Sequence, residues 1–422
     1  SAEYRLLLHC ATLQPAPSQQ VLADLLDEAL QWPRLVGLAA WHRLSPLVFE
    51  QLRRPELVSE VPPDAMEELS AAYYTTAARN AHALQELADV LLALAAEGIA
   101  FMPLKGAALL GSVYANPALR PMSDLDILVE EGAIGRAERL LEGMGYRPIH
   151  GERMQEAMRR SFRHYPPLRN RQGTLSVELH RDIVDPPLHY RLEGFWERAR
   201  PATVAGVSTR APAPEDLLVH LCLHFFMDRH SFRPGALKEL VDISETIRHY
   251  RGSFDWELLL QEVGSSGVSG PTSCALLSAA ELLGTPLPSS ILQASLVKWG
   301  TSELHSFIGH RVLGTGPWPL RNLVPAEERY TPLAVGRNVL RRLFPTRAFL
   351  ARKYADRYRW TAAWYGLHLR DTARRWGKRW AQLSLRPQEL RRDWRVDRWL
   401  HSLHDLQETR RDVTERRRPP FW

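Results

Sequence analysis

Apolar residues recur at intervals of three and four through "VLADLLDEALQW", "LVGLAAWHRLSPLVFEQLRR" and "DAMEELSAAYYTTAARNAHALQELADVLLALAAEG", with proline-containing breaks between them. That period winds one apolar stripe onto a helix, so residues 1–98 read as helical, with Gly98 as the stop. The pattern then shortens. "IAFMPLKG" is a brief apolar run closing on glycine, "AALLGSVY" has helix length, "DLDILVEE" has strand character, and helix returns in "AIGRAERLLEGMG". "TLSVELHRDI" is a second clear strand, with Val177, Leu179 and Ile183 as its apolar members, and "ATVAGVSTRAPAPEDLLVH" leads through a Pro-rich link into another helix. Strand signals therefore stay within about residues 98–210, while 214–295 is helical in pattern and "GTGPWPLRNLVPAEERYTP" at 314–332 reads as an extended connector.

The predicted fold class is α+β: a small mixed β-sheet core embedded between predominantly helical regions. Its divisions are an N-terminal helical region over 1–97, the mixed core over 98–210, a helical domain over 211–313, and a connector with a basic Trp/Arg-rich helical C-terminal region over 314–422. No internal repeat is visible.

Composition narrows the class. With 45% apolar residues in a chain of 422, there is enough hydrophobic material for a sizeable core. No run reaches the roughly 20 apolar residues of a spanning helix; the longest candidate, "LADVLLALAAEGIAFMPL", is interrupted by Asp89 and Glu97. The opening "SAEYRLLLHC" lacks the features of an export signal, so the expected location is the cytoplasm. Cys10, Cys222 and Cys274 lie far apart, which argues for buried thiols and against a disulfide framework or a structural zinc site. The net charge of +6 is uneven: residues 337–418 hold roughly 23 Lys/Arg against about 9 Asp/Glu, leaving the rest mildly acidic.

The chemistry concentrates in "LRPMSDLDILVEE". Asp124 and Asp126 are two residues apart in a strand, so both side chains leave the same face while Leu125 and Ile127 leave the other. Two adjacent carboxylates repel unless a cation sits between them, and hard oxygen ligands of this kind suit Mg²⁺ or Mn²⁺. An exposed edge strand with a wet polar face explains the same pair without a metal. Upstream, Lys105-Gly106 ends a strand and opens a helix, which brings together a helix N-terminus, a glycine and a lysine in a manner suited to a phosphate. An ordinary strand-to-helix turn with an exposed lysine is the alternative.

"LKGAALLGSVYANPALRPMSDLDILVEE" resembles the polymerase-beta-like nucleotidyltransferase superfamily, in which a strand, a glycine-containing turn and a helix precede an acidic-hydrophobic-acidic strand. Within it, the sequence is similar to a bacterial family of uncharacterised nucleotidyltransferases, whose pattern is met by Lys105, Gly106, Tyr114, Arg120, Pro121, Ser123, Asp124 and Asp126. The likeness continues through "VELHRDI" and "PEDLLVHLCLHFFMDRHSFRPGALKELVDISETI", and more loosely elsewhere. It departs from the wider superfamily at Lys105-Gly106, where a glycine-serine pair is usual.

The resemblance implies a nucleotidyltransferase-like core over 98–210 that moves a nucleoside monophosphate from an NTP, with Mg²⁺ or Mn²⁺ held by Asp124, Asp126 and a third carboxylate. Glu178 is the candidate for that third place, with Asp182 and Asp185 as alternatives, and His180 shares its face. Lys105, Gly106, Arg120 and Ser123 are the candidate nucleotide-binding residues; Arg120 has an alternative role as a partner of Asp124, and Ser123 as a turn residue. The resemblance further implies a peptide, sugar or small-metabolite acceptor, in line with a tailoring step for natural products or polysaccharides. A phosphotransferase or phosphosugar transferase on the same residues, and a noncatalytic binding protein, are the alternatives.

Three further signals carry less. "HLCLHFFMD" sets His220, His224 and Asp228 on one helix face without the glutamate of a zinc protease, so the histidines read as core residues or as support around the site, together with His180. Asp242, in "LKELVDISETI", calls for a partner such as His220, His224 or Lys238. Arginine interleaved with Trp360, Trp364, Trp376, Trp380, Trp394 and Trp399 suits an anionic membrane surface or nucleic acid, and equally amphipathic helices with inward tryptophans. Oligomeric state is not legible in the sequence.

Overall fold

The structure is a computed structural model that describes residues 1–13, 18–185, 188–228, 236–296, 304–305, 307–313 and 365–370. The arginine- and tryptophan-rich positions singled out above all lie outside the described residues.

Helices α1 (Ala2–Cys10), α2 (Gln19–Leu26), α3 (Trp32–Trp41), α4 (Ser45–Leu52) and α5 (Pro63–Ala96) open the chain. The apolar repeat over 35–54 is broken in two because Arg43 turns left-handed, with φ 58°, and Pro46 begins the next helix. Gly98, with φ 62°, lies just past α5 as its sequence position predicts.

The mixed segment follows: β1 (Phe101–Pro103), α6 (Lys105–Leu109), β2 (Asp124–Val129), α7 (Ile134–Gly143), β3 (Arg147–Pro148), α8 (Glu152–Ser161), β4 (Leu168–Arg169), β5 (Ser176–His180), α9 (Leu192–Glu197), β6 (Arg200–Val204) and β7 (Val207–Ala211). Helices α10 (Pro214–Asp228), α11 (Ala236–His249), α12 (Trp256–Ser265), α13 (Ser269–Leu283) and α14 (Ser289–Leu296) complete it. Five strands form a mixed sheet in the order β1-β2-β5-β4-β3, with β2 and β5 parallel and the other pairs antiparallel. The expected α+β architecture is therefore present.

Two details differ from the sequence reading. "ATVAGVSTRA", to which no strand was assigned, is a hairpin of β6 and β7 turned at Ala205 (φ 51°) and Gly206 (φ 78°), and the Pro-rich link follows it into α10. "AALLGSVY" is no continuous helix, because α6 stops at Leu109 and Leu110 bridges to Tyr114.

One sheet face is the core. Leu125, Ile127 and Val129 of β2 and Val177 and Leu179 of β5 pack with Leu87, Val90, Leu91 and Leu94 of α5 and with Ile134, Ala137 and Leu141 of α7. Burying each such leucine or isoleucine contributes about 1.5–3 kcal/mol, which fixes which way the alternate residues of β2 and β5 must point. The chain divides into two compact units, residues 1–227 with 233–297, and residues 228–232 with 298–422; everything described below lies in the first. Cys10, Cys222 and Cys274 are buried and free. No helix among the described residues is long and apolar enough to cross a membrane.

Candidate functional site

With the odd-numbered residues of β2 and β5 committed to the core, Asp124, Asp126, Glu178 and His180 leave the opposite face. The parallel register sets Asp126 directly against Glu178, Asp124 against Ser176 and Leu128 against His180. Both carboxylates are thus placed by backbone pairing and not by a loop.

Asp126 is the centre of the cluster and only 2% exposed. Its Oδ1 accepts from Lys105 Nζ at 2.7 Å and lies 2.9 Å from His180 Nε2. Glu178 Oε2 is 3.7 Å from His180 Nε2 and 3.9 Å from His164 Nε2, and the rings of His164 and His180 are 5.3 Å apart. Asp126, Glu178 and His180 each offer a ligand atom within 4.8 Å of the others. Asp124 lies outside that group, half-buried one register step along β2, with the exposed Ser123 hydroxyl 3.4 Å from its Oδ1. Asp182 and Asp185 are engaged elsewhere: Asp182 Oδ1 accepts from the amides of Ile183 and Val184, and Asp185 pairs with Arg163.

Electrostatics separate the two aspartates. Burial, reinforced by the neighbouring Asp126 carboxylate, pushes the Asp124 carboxyl up to about 6. Burial also opposes the charge on Asp126, yet the Lys105 ammonium and His180 outweigh it and hold that carboxyl well below the usual range. Glu178 is lowered too, since the His180 contact overcomes its burial. Lys105 loses solvation by burial and regains more from Asp126, Glu178 and Asp124, so its pKa is raised. The donor set of two or three carboxylates beside one imidazole fits a divalent cation.

The candidate nucleotide-binding residues are arranged in a way the sequence hides. Lys105 takes φ 44° and is buried on Asp126. The Leu104 amide donates to the Asp126 carbonyl at 2.9 Å, which ties the turn to β2. α6 is a single short turn of five residues, less than the helix expected behind the lysine. At Gly106 a Cβ would stand 2.5 Å from Arg120 Nη1 and 2.9 Å from Met122 Sδ, so the close approach this glycine permits is that of a side chain of the protein itself.

Arg120 is paired with Asp242, not with Asp124. Its Nε donates to Oδ1 at 2.8 Å and its Nη2 to Oδ2 at 2.7 Å; Tyr114 Oη and Lys238 Nζ donate to the same carboxylate at 2.8 and 3.2 Å. Of the partners expected for Asp242, Lys238 is present, and the histidines give way to Arg120 and Tyr114. Asn80 of α5 holds the segment in place by donating to the carbonyls of Pro117 and Arg120.

His220 and His224 of α10 lie near enough for Lys105 and Asp126 to act on their charge. Burial and then the Lys105 ammonium keep both well below the ordinary imidazole range, so they are neutral. His164 and Arg163 are the neighbours that sequence reasoning missed. No motif marks them, because their approach depends on the bridge between His164 and His180.

The model of the family described as "Uncharacterised nucleotidyltransferase" matches residues 28–284, more than half of the chain. The chain belongs to this family. The matched span contains every residue of the cluster just described, so the Asp126–Glu178 face is carried by a nucleotidyltransferase. A solution structure of the antibiotic-resistance factor ANT(2'')-Ia is similar at 14% identity and a TM-score of 0.31, over 44% of this chain and 93% of that one. No curated protein matches this nucleotidyltransferase.

Proposed function

We propose that this nucleotidyltransferase moves a nucleoside monophosphate from an NTP to a hydroxyl or phosphate of a peptide, sugar or small-metabolite acceptor, at the sheet face bearing Asp124, Asp126 and Glu178. The observation that carries this reading is the register of Asp126 against Glu178 on neighbouring parallel strands, one step from Asp124. Two carboxylates side by side, with a third one register step along β2, favour a divalent cation, Mg²⁺ or Mn²⁺. A cation held by Asp126 and Glu178 would supply Lewis-acid chemistry, polarising phosphate oxygens and lowering the pKa of an attacking group.

The chain's own groups do the rest. Glu178 holds the cation or accepts the acceptor's proton. Lys105 brings a buried ammonium to the phosphates, where its charge acts with little screening, and Ser123 offers a hydroxyl at the exposed edge. Arg120 adds positive charge beside the turn while Asp242 fixes its orientation.

The test incubates the protein with Mg²⁺ or Mn²⁺ and α-³²P- or γ-³²P-labelled nucleotides in host extract, comparing wild type with Asp124→Ala and Asp126→Ala. Acceptor labelling from the α position, lost in both variants, is the expected result. Labelling from the γ position would replace nucleotidyl with phosphoryl transfer, and equal labelling by all three proteins would remove the site assignment.

A further inference from the structure

Among the described residues, His180 is the imidazole that offers a ring nitrogen within 4.8 Å of oxygens of both Asp126 and Glu178. It is fully buried, at 0% exposure, and its place is set by β5, since Leu128 of β2 is its register partner. Nε2 points between Asp126 and Glu178, at 2.9 and 3.7 Å from their nearer oxygens. On the other side of the ring, Nδ1 lies 3.4 Å from the carbonyl oxygen of Asp182. A carbonyl can only accept, so it can hold a proton on Nδ1; the carboxylates only accept as well, so without a cation Nε2–H donates to Asp126, and a cation entering between the carboxylates takes the Nε2 lone pair in place of that proton. That is how metal-binding histidines are commonly oriented: a backbone acceptor fixes the tautomer and the ring plane. A second imidazole, His220, is 1% exposed, its Nδ1 has no hydrogen-bond partner among the described residues, and His180 and Asp126 are near enough to act on its charge.

We infer that His180 is a metal ligand through Nε2, alongside Asp126 and Glu178, and that this nitrogen makes the site select Mn²⁺ over Mg²⁺. Mg²⁺ demands oxygen ligands and gives up water reluctantly, whereas Mn²⁺ accepts carboxylate and imidazole together. The inference rests on the reading of this face as a metal-dependent transfer site and names the ligand and ion that the reading leaves open.

The test uses the full chain and Mn²⁺ alone, followed by pulsed electron paramagnetic resonance. Wild type should bind Mn²⁺ with a ¹⁴N coupling that changes to the ¹⁵N pattern when the protein is labelled with [¹⁵N]histidine. The coupling should vanish in His180→Gln and persist in His164→Gln and His220→Gln. Mg²⁺ in roughly tenfold excess should leave most of the Mn²⁺ bound. The labelled wild type answers the question even where His180→Gln fails to fold. Bound Mn²⁺ without nitrogen coupling, or coupling that survives in a folded His180→Gln, would overturn the inference and leave the transfer reading standing. Absence of bound Mn²⁺ would overturn it too, and α-label transfer, measured separately, then decides whether the transfer reading falls with it.

Discussion

Lys105 combines two costs in one residue: a left-handed backbone, worth about 1–3 kcal/mol for a side chain other than glycine, and a buried ammonium. Asp126 offsets the second, and in doing so has its own charge satisfied without a metal. The lysine and a cation therefore compete for one carboxylate. Lys105→Met should destabilise the metal-free protein by about 3–5 kcal/mol, because Asp126 loses its cationic partner. The same change should tighten Mn²⁺ binding while lowering transfer. Thermal melts with and without Mn²⁺ measure both effects, and weaker Mn²⁺ binding in the variant would show that Lys105 supports the cation instead. Asp124 makes the prediction about pH. Its carboxyl keeps its proton up to about pH 6, since burial and Asp126 raise it, so a cation binding there must displace that proton in acid. Apparent metal affinity should fall on the order of tenfold per pH unit below 6 and level off above it. Asp124→Asn should flatten that part of the calorimetric profile.

The strands and the segment between them put these residues in register. Asp242 of α11 ties that segment down through Arg120, Tyr114 and Lys238, with Arg120 at 5% and Asp242 at 2% exposure. Removing one member of a buried pair leaves an uncompensated charge, so Asp242→Ala should cost about 3–5 kcal/mol in denaturant unfolding. Gly106→Ala acts on the same network from the other side by pressing on Arg120 Nη1. It should weaken NTP binding with a smaller loss of stability; unaltered binding would separate Arg120 from the nucleotide. Much of this level was legible beforehand. Alternation in "DLDILV" and "SVELH" identified β2, β5 and their inner faces, because a one-residue slip would expose Leu125, Ile127, Val177 and Leu179. β3 and β4, two residues each, are too short for any period to register. The β6–β7 hairpin was hidden by alanine at a turn position with φ 51°, where asparagine or glycine is the usual signal. Likewise, the aspartate pair was readable from spacing alone. That Arg120 meets Asp242, or Lys105 meets Asp126, depends on contacts 122 and 21 residues apart in the chain, which no local pattern encodes.

At the scale of the whole chain, charge and fold are divided differently. The compact unit formed by residues 1–227 and 233–297 holds the sheet, its core and all the candidate site residues, while the basic surplus lies beyond residue 337. A chain ending at Val297 should therefore keep a cooperative unfolding transition and still be stabilised by Mn²⁺ with nucleotide, as mass action requires of a folded binding site. Its charge, however, changes sign: the full chain carries +6, and loss of the arginine-rich segment leaves carboxylates in excess. A nucleoside triphosphate is a polyanion, so its encounter with the shortened chain is slowed by a repulsive field while the buried chemistry is untouched. The expected signature is a KM for NTP that rises severalfold at low ionic strength with kcat unchanged. The gap should close near about 0.5 M salt, where the Debye length falls to a few ångströms. A KM difference that persists at high salt would mean that residues after 297 contact the nucleotide directly. A drop in kcat would mean that they complete the site, and either result would move the functional boundary of this nucleotidyltransferase past the end of the family match at residue 284.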